Sequence, residues 1–288
     1  MNISWSITRK HHQWLVRDYL LHVRAFSNRL LKEVKKEGAI LINGESVTVR
    51  KEIVSGDVLT VQFPAEKRSD AVEPKYMPLQ VVYEDDYLLI VNKRRGLAVS
   101  PNMNDLKEST LANGVLHYFD TQSINATYHV VTRLDRFTSG LVIIAKNRYI
   151  HHLLQQHEIK RWYEAFVTGQ LEQPSGTIDL PIARNLPSII ERKVSDKGKR
   201  AVTHYRVKRE IAQGSQVEVE LETGRTHQIR VHFAHIGHPL IGDDLYGGYH
   251  HQLTGQALHC GWITFQHPIH NKTVHAYANK PNELKRLT

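Results

Sequence analysis

At 288 residues the chain is long enough for one large core or for two domains of unequal size. An apolar fraction of 41% and a charged fraction of 23% exclude a disordered chain, the apolar runs of five or six residues are too short for a membrane span, and a single cysteine, Cys260, excludes internal disulfides and a cysteine-built zinc site. A formal charge of +9 and a pI of 9.5 point to a polyanionic partner, nucleic acid before anionic lipid, and not to a membrane protein.

The first 64 residues read as a small α+β unit. The opening MNISWSITRKHHQW has no signal-peptide core, which with the lone cysteine leads us to expect a cytoplasmic protein. Ser27 is placed to cap a helix through Glu37, and Gly38 to stop it. Leu30, Leu31 and Val34 form its apolar side, while Arg29, Lys32 and Lys36 line another face. AILINGESVTV follows, two short strands around the hairpin signal Asn43-Gly44, and GDVLTVQF supplies a further strand. Through residue 68 there are 12 Lys/Arg against 7 Asp/Glu, so more than half of the net charge sits here. A basic helix leading into KKEGAILINGESV resembles an S4 RNA-binding module. The resemblance implies that Arg24, Arg29, Lys32 and Lys36 touch phosphates and supply affinity without reading sequence.

Residues 65–77, AEKRSDAVEPKYM, are polar and without periodicity and read as a linker to a second domain over 78–288. That domain opens with LQVVYEDDYLLIVNKRRGLAVSP, two strand-like runs around an acidic turn. Further strands are expected at 127–131, 141–145, RWYEAFVTG and SQVEVELETG, and helices at 108–118, 149–158 and 226–236. The class is α+β, with a mainly antiparallel mixed sheet and helices packed on it.

Three stretches carry candidate chemistry. VTRLDRFTSG sets Asp135 between Arg133 and Arg136, which favour its ionised form, and then places Thr138, Ser139 and Gly140 in a polar turn. An acid so held suits a nucleophile or electrostatic stabiliser better than a proton donor. RWYEAFVTG puts Arg161 and Tyr163 on one face of a strand, where a tyrosine beside a cation can stack on a base. GRTHQIRVHFAHIGHP reads as a turn at 224–226 followed by a helix that sets His227 and Arg230 one turn apart, and a helix-borne guanidinium can grip a distant carboxylate. His227, His232, His235 and His238 lack the spacing of a zinc site on one helical face, so no metal is expected. A polyanionic partner, one ionised acid, a tyrosine and an arginine suggest an enzyme acting on a nucleotide. A glycosidase would ordinarily use two carboxylates.

RLDRFTSGLVIIAKN, RWYEAFVTG and TGRTHQIRVHFAHIGHPLIGDDLYGG together resemble the signature blocks of RluA-like pseudouridine synthases, and VVYEDDYLLIVNKRRGLAVSP and LHCGWITFQHP resemble their flanking blocks. The resemblance covers nearly the whole chain. It implies an isomerase that converts uridine in RNA to pseudouridine without cofactor or metal, acting on large-subunit ribosomal RNA first and transfer RNA second. Nothing in the sequence such as a heptad seam argues for more than a monomer. By matched position Asp135 is the catalytic aspartate, Tyr163 stacks on the uracil and helps remove the C5 proton, and Arg230 orients Asp135. Arg133 helps evict the target base, Arg136 and Arg161 contact the RNA, and eviction costs a few kcal/mol of stacking. Two departures stand out: Thr132 where the family usually has His, and Arg94 where it usually has Pro. A catalytically silent RNA-binding or ribosome-assembly protein and a nucleoside or RNA glycosidase are the competing expectations.

Overall fold

The computed structural model describes residues 1–101 and 108–288. The chain forms two compact units, Met1–Arg68 with Asn125–Thr127, and Ser69–Ile124 with Tyr128–Thr288.

In the first unit β1 (Asn2–Ser6), α1 (Val16–His22) and α2 (Asn28–Glu37) precede β2 (Ala39–Ile42), β3 (Glu45–Ser46) and β4 (Val58–Gln62). The strands form one antiparallel sheet in the order β1-β4-β2-β3. Alternation drives it: Ile3, Trp5, Ile40, Ile42, Leu59 and Val61 are buried, and their strand neighbours face outward or only partly inward. The Ser27 hydroxyl accepts the Leu30 amide at 3.1 Å, a helix cap. Gly38 ends α2 for another reason than the left-handed turn its position suggests. Its φ is −119°, and a β-carbon there would stand 2.3 Å from the Gln62 carbonyl oxygen, so the residue is set by the close passage of β4.

The second unit contains β5 (Gln80–Glu84), β6 (Leu88–Lys93), α3 (Leu111–Thr121), β7 (His129–Val130), β8 (Ser139–Ala145), α4 (Arg148–Gln156) and β9 (Ile159–Thr168). It continues with β10 (Ser175–Asp179), β11 (Ile182–Arg184), β12 (Arg192–Val194), β13 (Val202–Ile211), β14 (Gly214–Leu221) and α5 (Gln228–His235). β15 (Leu258–Gln266), β16 (Thr273–Tyr277) and α6 (Asn282–Lys285) end it. Among the described residues the large sheet runs β10-β13-β14-β9-β15-β8-β6-β5, with β16 on β15 and β7 on β8, while β11 and β12 form a separate hairpin.

Only the β8–β15 pairing is parallel among the described residues, joining Ser139 to His259 and Gly140 to Cys260. Every residue of β8 is buried, which explains its continuous apolar run, since a central strand covered on both faces has no polar side. Gly140 carries φ +116°, and a β-carbon there would fall 2.2 Å from the Cys260 carbonyl oxygen. Ser139 and Gly140 therefore open a strand; the turn expected at 138–140 lies earlier, closed by the Thr138 amide on the Asp135 carbonyl at 3.1 Å. The second half of the expected linker is also structured. The Lys75 amide donates to the Asn113 carbonyl, Asn113 Nδ2 donates to the Glu73 carbonyl, and Met77 is buried against Gly114 of α3.

Candidate active site

Asp135 stands in the turn between β7 and β8, in an open cavity that is also lined by Arg133, Tyr163, His227 and Arg230. Two cations fix that turn from below. The Lys93 ammonium, at the end of β6, donates to the carbonyls of Arg94 (3.1 Å), Leu97 (2.8 Å) and Arg136 (3.0 Å). Burial pushes the Lys93 pKa down to about 7 against the pull of the Asp135 charge. The Arg95 guanidinium donates to four carbonyls, those of Phe137, Thr254, Gly255 and Gln256. Gln256 in turn donates to the Thr138 hydroxyl at 2.8 Å. Asp135 is therefore delivered by a backbone with little freedom to move.

Facing it, Arg230 of α5 places Nη1 3.1 Å from Asp135 Oδ2. Its other edge is bound to Asp243, with Nε 2.7 Å from Oδ2 and Nη2 2.8 Å from Oδ1. The guanidinium carbon lies 5.0 Å from the centre of the Tyr246 ring, a cation–π contact. His227 Nε2 is 3.8 Å from Asp135 Oδ2, and its Nδ1 is 2.9 Å from the Tyr246 hydroxyl. Burial lowers the His227 pKa, with Asp135 opposing the change. Tyr163, on β9, is 6% exposed, and burial together with Cys260 drives its pKa upward, so the hydroxyl keeps its proton.

The start of α5 departs from the sequence expectation. The N-cap is His227, at φ 57° and ψ 21°, a strained left-handed setting for a residue with a side chain. Gln228 holds it there: its Oε1 accepts from the Thr223 hydroxyl and the Arg225 amide, and its Nε2 donates to the Val202 carbonyl. The strain turns the His227 imidazole into the cavity.

Of the residues named from sequence, Asp135, Tyr163, Arg230 and Arg133 meet here. Arg136 does not hold Asp135. Its guanidinium pairs with Glu108 (Nη2–Oε1 2.5 Å) and donates to the Gly96 carbonyl, because the turn throws the side chain outward. Arg161 lies half-buried against Gly224, whose missing β-carbon leaves room for it, and its buried Nε has no partner among the described residues. In the first unit Arg29, Lys32 and Lys36 are exposed along α2, Arg29 paired with Glu33 and Lys36 with Glu37. Arg24 lies over the Trp5 and Tyr19 rings and donates to the Tyr19 hydroxyl, so its charge is partly engaged. The departures have local accounts: the buried Thr132 hydroxyl accepts the Ile143 amide of β8 at 3.0 Å, and Arg94 is exposed. The sequence reading missed Asp243, Tyr246, Lys93, Arg95 and Gln228. The residues GDDLYGG offered a signal, an acid pair and a tyrosine in a loop, but no periodicity tied them to α5.

One other grouping could meet a cation. Asp85, His267 and His270 bring one ligand atom each within 4.8 Å of one another. The Asp85 carboxylate already accepts from the Tyr83 hydroxyl, His267 Nε2 and the Tyr87 and Leu88 amides, so a metal would have to displace those bonds.

Residues 87–235 match the RNA pseudouridylate synthase family. The uncharacterized RNA pseudouridine synthase YjbO of Bacillus subtilis is 41% identical over 266 residues, covering 91% of this chain and 94% of that protein. The chain belongs to the RNA pseudouridylate synthase family. The RluA-like resemblance holds in particular: ribosomal large subunit pseudouridine synthase D of Vibrio cholerae is 36% identical over 282 residues, 91% of this chain and 86% of its relative. The fold agrees with that of human RNA pseudouridylate synthase domain containing 1, at a TM-score of 0.58 over 73% of this chain and 87% of the human one, with 24% identity. The protein is thus an RNA pseudouridine synthase, an isomerase that cuts the N1–C1′ bond of uridine and joins C5 to C1′. A silent core and a glycosidase are set aside with that assignment. Among the described residues no helix is long and apolar enough to cross a membrane.

Proposed function

We propose that this synthase modifies uridines of large-subunit ribosomal RNA, with Asp135 as the acting carboxylate. The contact between Asp135 and Arg230, made beside Tyr163 in one cavity, carries the assignment of roles. The name of the Vibrio cholerae relative supports the choice of RNA, and transfer RNA stands second. The first unit, a basic helix on a small sheet, serves as an S4-like RNA-binding module in a cytoplasmic monomer.

The target nucleotide leaves its stack and enters the cavity, where exposed Arg133 fills the space it vacates. Asp135 then meets the sugar–base junction, attacking C1′, attacking the ring, or taking a proton from C2′. Each route frees the uracil from C1′, lets it turn, and bonds C5 to C1′; the C5 proton leaves and N1 gains one. Tyr163 stacks on the ring as a neutral phenol. It can take the C5 proton only by passing its own onward in the same step. Arg161, half-buried beside Gly224, is suited to the pocket wall or to a phosphate of the incoming strand.

Asp135→Asn tests the assignment. Pseudouridine mapping on RNA from cells lacking the chain should show no product, while RNA affinity stays within about threefold, since phosphate contacts supply most of it. Turnover by the variant would refute the role of Asp135.

A further inference from the structure

Both groups that face Asp135 are themselves held by one short segment, a 3-10 turn at Asp244–Tyr246 and the residue before it. Asp243 is 1% exposed and occupies two nitrogens of the Arg230 fork. Only Nη1 is left to reach Asp135, and it touches a single oxygen, Oδ2. An arginine freed from Asp243 could swing its fork onto Asp135 and take both oxygens, which is the preferred geometry of an isolated pair. Both oxygens would then carry a charge-assisted hydrogen bond, which makes each a weaker nucleophile and base toward the ribose.

Tyr246 makes the second tie. Its hydroxyl accepts the Arg192 amide at 2.9 Å and lies 2.9 Å from His227 Nδ1, to which it can give its own proton. With that bond made, His227 carries its N–H on Nε2, the nitrogen 3.8 Å from Asp135. The same ring supports the Arg230 guanidinium from its face.

We propose that Asp243 and Tyr246 are positioning residues of the isomerase. Asp243 limits Arg230 to one contact with Asp135, and Tyr246 orients the imidazole beside it, so that the second carboxylate oxygen stays available to substrate. The proposal rests on Asp135 being the acting group.

The test measures single-turnover pseudouridine formation, RNA affinity and circular dichroism for Asp243→Asn, Tyr246→Phe, Arg230→Ala and the Arg230→Ala/Asp243→Asn double variant, on RNA from cells lacking the chain. Asp243→Asn should slow turnover about 100-fold with RNA affinity within about twofold, and Tyr246→Phe about tenfold. In the Arg230→Ala background Asp243→Asn should add no further loss, because its effect runs through the arginine. Turnover of Asp243→Asn within about threefold of the parent, or the same fold-loss with and without Arg230, would overturn the proposal. Should Asp243→Asn fail to fold, Tyr246→Phe decides it, and turnover within about twofold counts against it. An active Asp135→Asn enzyme would instead remove the assignment of Asp135 beneath the proposal. An inactive one beside a parent-like Asp243→Asn would sink the positioning role alone.

Discussion

Two carboxylates of this protein live in opposite circumstances. Asp135 has a side chain 31% exposed and one short contact, to Arg230, which leaves oxygen lone pairs facing the cavity. Asp85 has four donors on its two oxygens, and His267 can only be a donor to it, because His267 Nδ1 accepts the Ile269 and His270 amides. Burial alone would raise the Asp85 pKa, but these donors hold it well below the usual carboxylate range. A depressed folded pKa means that the unfolded chain binds the proton first. The stabilisation is therefore present above the ordinary carboxyl pKa and is lost as pH falls through the folded one. Asp85→Asn should lose about 2 kcal/mol at pH 7, and the gap from the parent in urea unfolding should shrink as pH falls from about 5 toward 2. A gap that ignores pH would contradict this account. The same contrast separates what a sequence can disclose. Asp135, Tyr163 and Arg230 stand in recognisable motifs, but Asp243 and Arg95 act through contacts with partners that only the folded chain brings near.

The parallel splice of β8 and β15 joins the two halves of the large sheet next to the Asp135 turn. It tolerates no side chain at residue 140, where a β-carbon would enter the Cys260 backbone and the left-handed φ adds strain. Gly140→Ala should cost about 3 kcal/mol or more, read as a lowered urea midpoint and poor soluble yield; a parent-like midpoint would mean that the splice can yield. Elements with clear periodicity were legible: α2, α4, β8, β9 and β14 fall near their expected places. Others were not. The separate hairpin β11–β12 is too short for periodicity to resolve, and β1 reads as a weak polar alternation until β4 pairs with it. The start of α5 was misplaced because His227 adopts a left-handed backbone held through Gln228 by Val202 and Thr203, which are remote in sequence.

Charge is the property that belongs to the molecule entire. With a net +9, more than half of it in the first 68 residues, and a basic row on α2, RNA affinity should fall steeply with salt. The ion pairs Arg29–Glu33 and Lys36–Glu37 are exposed and weak, so on the proposed RNA-binding role they would give way to phosphate. Replacing Arg29, Lys32 and Lys36 with Gln should reduce the slope of log affinity against log salt by about 2, with the single-turnover rate at saturating RNA unchanged. An unaltered slope would show that α2 does not meet the backbone of the RNA.

The carbonyls that Arg95 grips come from Phe137 and from residues 254–256, which are far apart along the chain. A polypeptide still on the ribosome and extruded through His235 already owns Asp135, Tyr163 and Arg230, yet it lacks the clasp that aims the first of them. On the roles proposed above, catalytic competence therefore waits until residues 254–256 and β15, which pairs with both β8 and β9, have been made.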